Sequence, residues 1–180
     1  SRVTHTITFP ARFMLIAAMN PCPCGYWGDA RRSCICTGSQ IHRYRSRISG
    51  PLLDRIDIHV EVPPVTIREL SLDREEEPSN TIRDRVIKAR QKQGERFKEK
   101  KIYANGQMNA RMIKKYCLLT ENGKNLLEKA VEKFGLSPRA YHRIIRVART
   151  IADMEYNEDI TESHVAEAIQ YRVLDKRMTL

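Results

Sequence analysis

Four cysteines stand in two close pairs, Cys22-Pro23-Cys24 and Cys34-Ile35-Cys36, with nine residues between them. Four thiolates from two short turns suit Zn²⁺, because soft sulfur ligands select it at tetrahedral geometry. Zinc knuckles usually carry two residues between paired cysteines, so the single-residue spacing is a departure. Pro21, Pro23 and Gly25 stiffen the first turn, and Arg31 and Arg32 bring positive charge that would stabilise thiolates. Disulfides are the rival use of the same residues, and a reducing compartment disfavours them. No open ligand position is evident, so a catalytic zinc is not expected. His42 could replace a ligand, but it reads first as a helix-surface residue. The fifth cysteine, Cys117, lies in an apolar helical context and reads as buried and inert.

Three other side chains are placed for phosphate chemistry. Asn20 ends an uncharged apolar run, Phe13 to Met19, just before Pro21. In an open α/β sheet, ligands bind at the carboxyl ends of such buried strands. A neutral amide there both donates and accepts, so it can hold a water near a phosphate. The alternative is an Asn that caps the turn into Pro21. Arg55, in Leu52-Leu53-Asp54-Arg55-Ile56-Asp57, falls between a short helix and a second apolar strand. A guanidinium at a domain rim can bind phosphate bidentately, or act on a neighbouring subunit's developing charge. The alternative is a rim salt bridge to Asp54 or Asp57. Arg139, in Leu136-Ser137-Pro138-Arg139-Ala140, sits in the first turn of a helix. That end suits a phosphate and repels a cation, so an arginine there favours a functional role. Its stem could instead pack over the surface.

The elements that must position these groups fall into three stretches. Residues 1–65 read as α/β. A half-exposed hairpin strand, Val3 to Phe9, is followed by a buried strand from Arg12 to Asn20. The cysteine loop, a helix from Ser39 to Ile48 and a short helix opened by Pro51 come next, then a strand from Arg55 to Val62. Residues 66–105 hold a polar connector and a long basic helix, Asn80 to Lys101, with Ile82, Val86 and Ile87 as its expected buried stripe. Residues 106–180 read as helical. Helices are expected at Ala110 to Tyr116, at Glu121 to Phe134 between Thr120 and Gly135, and at Pro138 to Met154 after Ser137. A last one opens at Thr161. Met108, Met112 and Met154 are expected to fill gaps in its core. An α/β part followed by a helical bundle points to a nucleotide-binding domain with a helical lid.

The chain of 180 residues carries a formal net charge of +10, which favours polyanionic partners. Much of it lies on the basic helix, including Arg83, Lys88, Arg90 and Lys92. Such a face reads first as solvated, and otherwise as a phosphate-backbone contact that weakens with salt. Aromatic residues are sparse there, which argues against base-specific reading. His5, His59, His142 and His164 show no triad or metal spacing. No apolar run approaches the length needed to span a bilayer, and the first residues alternate as in a strand rather than a signal peptide.

Taken in order, these segments resemble the AAA+ ATPases of the magnesium-chelatase-like group, and within it the ComM (YifB) subfamily. The carrying residues are Phe9-Pro10-Ala11-Arg12-Phe13, Ala17-Ala18-Met19-Asn20-Pro21-Cys22-Pro23-Cys24-Gly25, Ser49-Gly50-Pro51-Leu52-Leu53-Asp54-Arg55-Ile56-Asp57 and Leu136-Ser137-Pro138-Arg139-Ala140-Tyr141. The resemblance covers essentially the whole chain. It implies the C-terminal half of a P-loop NTPase core followed by an all-α lid. It makes Asn20 the sensor 1 residue, Arg55 the arginine finger and Arg139 the sensor 2 arginine. It also implies ATP and Mg²⁺ as cofactors, a cytoplasmic homo-oligomeric ring such as a hexamer, and work on DNA by helicase or branch-migration activity. Rival expectations are a chelatase-type ATPase that remodels a partner protein, and a zinc-bearing DNA-binding module without motor function. The phosphate-loop motif G-x-x-x-x-G-K-S/T is not in these residues, so they are expected not to hydrolyse ATP alone.

Overall fold

Helix start and stop signals that are purely local are obeyed closely in the computed structural model, which describes residues 7–9, 13–63, 65 and 76–172. The helices are α1 (Gly38–Arg45), α2 (Gly50–Leu53), α3 (Ser79–Arg96), α4 (Ala110–Tyr116), α5 (Glu121–Phe134), α6 (Pro138–Met154) and α7 (Glu162–Gln170), with a 3-10 turn at Asn105–Gln107. Thr120 caps α5 by accepting from the Gly123 N–H at 3.3 Å. Gly135 ends α5 in the left-handed region, at φ 55°, where a side chain would be strained. Ser137 caps α6 by accepting from the Ala140 N–H at 3.1 Å, with Pro138 in the first turn. Each of these bounds agrees with the sequence expectation.

The chain divides into two compact units, Ser1–Tyr44 and Arg45–Leu180. The larger unit is a helical bundle. Helix α6 lies at its centre and buries Ala140, Ile144, Ile145, Ala148 and Ala152, spaced to share one stripe. Leu127 of α5, Val165 and Ala168 of α7, Ile113 of α4 and the loop residues Phe97, Met108 and Ile160 complete the core. Gly123 lets α5 approach the neighbouring loop closely: a Cβ there would lie 3.2 Å from the Ile160 carbonyl oxygen. Cys117 is buried as expected, and burial pushes its thiol up to about 11.

A buried polar network ties the far ends of the bundle together. Asp153 is fully buried and accepts from Arg96, from Arg149 at 3.1 Å and from Asn105 at 2.8 Å. Arg149 in turn donates to the carbonyls of Asn157 and Glu158, closing the loop after α6. Burial by itself would raise the Asp153 carboxyl, but the hydrogen bonds from Arg96 and Asn105 hold it below the usual carboxylate range. His164, which carried no sequence signal, is also structural. Its Nδ1 accepts from the Thr161 N–H at 3.0 Å, which leaves Nε2 to donate to Glu155 at 2.8 Å.

Two expectations fail. The first is the pair of buried strands. Among the described residues there is no β-strand, only an isolated bridge between Leu119 and Ile160. Phe13, Met14 and Ile16 are 77%, 83% and 82% exposed, and Ile58, Val60 and Val62 also face solvent. A strand exists only through a ladder partner, and neither segment pairs with another. Residues 56–59 bond instead to the end of α7: the His59 N–H donates to the Tyr171 carbonyl at 2.8 Å, and the Ile56 carbonyl accepts from Arg172. The helical part is therefore seen and the α/β part is not. The second failure is the stripe on α3. Ile82, Val86 and Ile87 are 41–45% exposed, while Ala89, Gln93 and Phe97 are buried. Only the C-terminal half of α3 packs on α6, and it does so through this i, i+4, i+8 face. The helix ends at Arg96 rather than Lys101, because Phe97 turns into the core. The expected hairpin strand falls mostly outside the described residues, as do residues 66–75 of the connector and residues 173–180.

Candidate functional site

In the smaller unit the four cysteines converge. Their Sγ atoms all lie within 4.8 Å of one another. Cys22–Cys24, Cys24–Cys34 and Cys22–Cys34 are 3.4, 3.5 and 3.7 Å apart. A disulfide needs about 2.05 Å, so these are non-bonded sulfurs, and all are free thiols. Four sulfurs at about 2.3 Å from a tetrahedral Zn²⁺ would stand about 3.8 Å from each other. These three edges are close to that value, and the edges to Cys36 are no longer than 4.8 Å. Backbone N–H groups of Trp27 and Cys36 donate to Cys22 and Cys34 at 3.3 and 3.4 Å. Such donors stabilise the thiolate form that a metal requires.

The loop around them is built by turns. Gly25 and Gly28 take φ of 85° and 86°, and the Gly25 N–H returns to the Cys22 carbonyl at 3.0 Å. Asp29 accepts from the Arg31 and Arg32 N–H groups at 2.7 and 3.2 Å. Arg32 stacks over Tyr26, 4.2 Å from the ring centre, and donates to its hydroxyl. The Cys24 thiol is drawn down to about 6, first by the Tyr26 N–H. Cys34 is pushed up to about 12: the Cys36 N–H lowers it, but burial and hydrogen bonds to Cys24 and Cys22 prevail. Backbone donors, rather than the expected arginines, do the lowering at Cys24. His42 lies on the exposed face of α1, away from the metal-ligand set.

Asn20 lies in the same unit, two residues before Cys22. It is exposed, and its amide faces the glycine turn, 3.9 Å from where a Gly25 Cβ would stand.

Arg55 and Arg139 both belong to the larger unit, and a set of side chains draws their segments together. Asp54 accepts from the Ser137 hydroxyl at 3.1 and 3.2 Å and from Arg172 at 3.3 Å. Arg143 of α6 pairs with Asp57. The alternative weighed for Arg55, a rim salt bridge, is therefore not the use made of these carboxylates. Arg55 is exposed and donates to the Pro51 carbonyl at 2.7 Å. Arg139 is exposed two residues beyond Ser137. Ser137 thus has two roles, capping α6 and holding the residue next to Arg55. The sequence reading saw Asp54 and Ser137 only singly, and missed Arg143 and Arg172. A signal existed: two carboxylates flank Arg55, and α6 carries arginines a helical turn apart.

The basic residues of α3 divide. Arg83, Lys88 and Arg90 are exposed. Lys92 is half-buried, with its ammonium 5.0 Å from the centre of the Tyr156 ring. Among the described residues, no helix is long and apolar enough to cross a membrane.

Family models define the class. The model for the magnesium chelatase ChlI subunit matches residues 1–70, and the model for that subunit's C-terminal region matches residues 76–172. The chain belongs to this family, which is of the AAA+ ATPase type. It is 44% identical to a protein named YifB from Salmonella typhimurium, over 98% of this chain and 34% of that protein. It is likewise 44% identical to the competence protein ComM of Haemophilus influenzae, over 97% of this chain and 33% of that protein. A YifB protein of Escherichia coli is 41% identical, over 98% of this chain and 34% of its own length. The chain thus spans about a third of the length of these curated relatives.

Proposed function

We propose that this chain supplies the sensor and lid parts of a cytoplasmic, ATP-hydrolysing ring motor that acts on DNA. ATP and Mg²⁺ bind in the whole protein, between subunits of a homo-oligomeric ring, a hexamer in this reading. Asn20 positions the attacking water. Arg55 reaches the γ-phosphate held by the neighbouring subunit and stabilises its developing charge. The observation that carries this reading is the Asp54–Ser137 contact, which links the arginine-finger segment to the helix start that bears Arg139. Arg139 couples nucleotide state to lid angle, and the join ties that lid helix to the finger segment. The segments 13–20 and 56–62 are strands of the complete AAA+ core in this reading, and their exposed apolar side chains are covered there. The cysteine quartet holds a structural Zn²⁺.

DNA as the client is favoured by the net charge of +10 and by the exposed Arg83, Lys88 and Arg90 on α3. A partner protein remodelled by the ATPase is the second reading, since the family model carries a chelatase subunit's name. The deciding experiment measures ATPase of the full-length protein with and without DNA, in the native and Arg55→Ala forms. DNA-stimulated turnover that collapses with Arg55→Ala, while ATP still binds, is the expected result. Turnover indifferent to DNA overturns the client, and turnover retained by Arg55→Ala rings overturns the finger.

A further inference from the structure

We infer that the metal-held cysteine turn is the device that positions Asn20, so that metal occupancy sets the rate of ATP hydrolysis rather than the affinity for ATP. This rests on the readings of Asn20 as the water-positioning residue and of the quartet as a Zn²⁺ centre.

The first support is what the smaller unit lacks. Among its described residues only Cys22 is buried, and its Sγ meets two other sulfurs and the Trp27 N–H. Phe13, Met14, Leu15 and Ile16 all face solvent. The cysteine loop 21–37 thus buries no apolar core of its own among the described residues, and a structural metal supplies order to such a loop directly. Bare thiols donate and accept weakly, so the S–H···S contacts alone are a poor substitute.

The second support is the path from the ligands to Asn20. One proline separates Asn20 from Cys22, and its ring fixes the backbone angle between them. Cys22 opens, and Cys24 lies within, the four-residue turn that Gly25 closes on the Cys22 carbonyl. That closure leaves the Asn20 amide beside the turn, with Nδ2 and Cγ 3.9 and 4.0 Å from where a Gly25 Cβ would stand. Asn20 is itself exposed. The strand 13–20 of the complete core fixes its backbone, and the turn that follows, which carries two of the ligands, fixes the direction of its amide. A misplacement of about 1 Å in a water-positioning group can slow turnover about 100-fold.

The test uses the full-length protein. Zinc is measured by atomic emission, and Co²⁺ is substituted to give the intense visible bands of a tetrahedral thiolate site. Metal is then removed with a chelator, and the released thiols are titrated. The expected result is stoichiometric zinc, unchanged ATP affinity, a fall in kcat of about 10- to 100-fold on removal, and recovery on reloading. The same removal from an Asn20→Ala protein should cost no further rate, which separates positioning from general loss of structure. Gly25→Ala provides a second route: at φ 85° a side chain strains the turn while all four ligands are kept, so kcat should fall with zinc content intact. A protein without zinc overturns the metal reading. A zinc protein whose kcat survives metal removal overturns the positioning inference and leaves the metal reading standing. An equal loss in the Asn20→Ala background, or full turnover by Gly25→Ala, overturns it as well.

Discussion

Asp54→Ala tests the join between the finger segment and the lid. The carboxylate holds the Ser137 hydroxyl at 3.1 and 3.2 Å and the Arg172 guanidinium at 3.3 Å. Arg172 is buried, with its side chain 1% exposed, whereas that of Asp54 is 25% exposed. Removing one partner of a fully buried pair costs about 3–5 kcal/mol, because it strands a charge. Two facts lower that figure here. Asp54 is partly solvated, and Arg172 keeps the Ile56 carbonyl as a second partner. A loss of about 2–3 kcal/mol follows, in the range for hydrogen bonds to charged groups. Ser137 still caps α6 through Ala140, so the helix start survives. Asp54→Asn keeps an acceptor for Ser137 and loses only the charge, so it should cost about 1–2 kcal/mol. Urea unfolding of the 180-residue chain, followed by far-ultraviolet circular dichroism, reads both; the midpoint should fall with little change in slope. In the full-length protein, Asp54→Ala should retain ATP binding and lower turnover by about 100-fold, as Arg55 drifts. A stability change under about 0.5 kcal/mol would refute the energetic argument. A destabilised protein with native turnover would show that the join does not place Arg55.

Three other outcomes are expected. Gly123→Ala puts a Cβ 3.2 Å from both the Ile160 carbonyl oxygen and Thr120 Oγ1, and should destabilise the bundle by about 1–2 kcal/mol in the same urea assay. Asp153→Ala strands Arg149 and half-buried Arg96 and should cost about 3–5 kcal/mol. Because the folded-state carboxyl is depressed, its stabilisation is complete above the ordinary Asp value of about 3.9 and drains away as pH falls through the lowered value; urea midpoints of native and Asp153→Asn protein should therefore converge only at strongly acidic pH. On DNA, changing Arg83, Lys88 and Arg90 together to Gln in the full-length protein should flatten the slope of log K against log salt by about two to three, whereas Lys92→Gln should leave it unchanged; an unaltered slope in the triple variant would remove α3 from the interface.

The bounds of α4 to α7 were legible because their signals are local. Thr120 with Gly123, Gly135 at positive φ, and Ser137 with Pro138 act over a few residues and need no knowledge of the rest of the fold. The cysteine quartet was legible for a similar reason, since four ligands of one chemistry within 15 residues leave few arrangements. The buried strands are not seen among the described residues and the α3 stripe lies on another face, because burial belongs to a pair of surfaces. Phe13 to Met19 is apolar enough for a strand interior, and α3 has apolar residues at helical spacing, but pattern alone does not say which face meets a neighbour. The Asp54–Ser137 contact joins residues 83 positions apart, and no periodicity links them.

The two units consequently hold their candidate residues by different physics. In the larger one an apolar core fixes α6 and α7, and charged contacts then fasten the Arg55 segment to that frame. Altering one fastening should leave the helices folded and move only the guanidinium, so stability and turnover can be separated by mutation. In the smaller unit no apolar frame exists among the described residues, and the support inferred for Asn20 is the cysteine turn beside it. Removing their ion should therefore act on the residue and on its support together, which is why the Asn20→Ala background, rather than any single variant, is needed to tell the two apart.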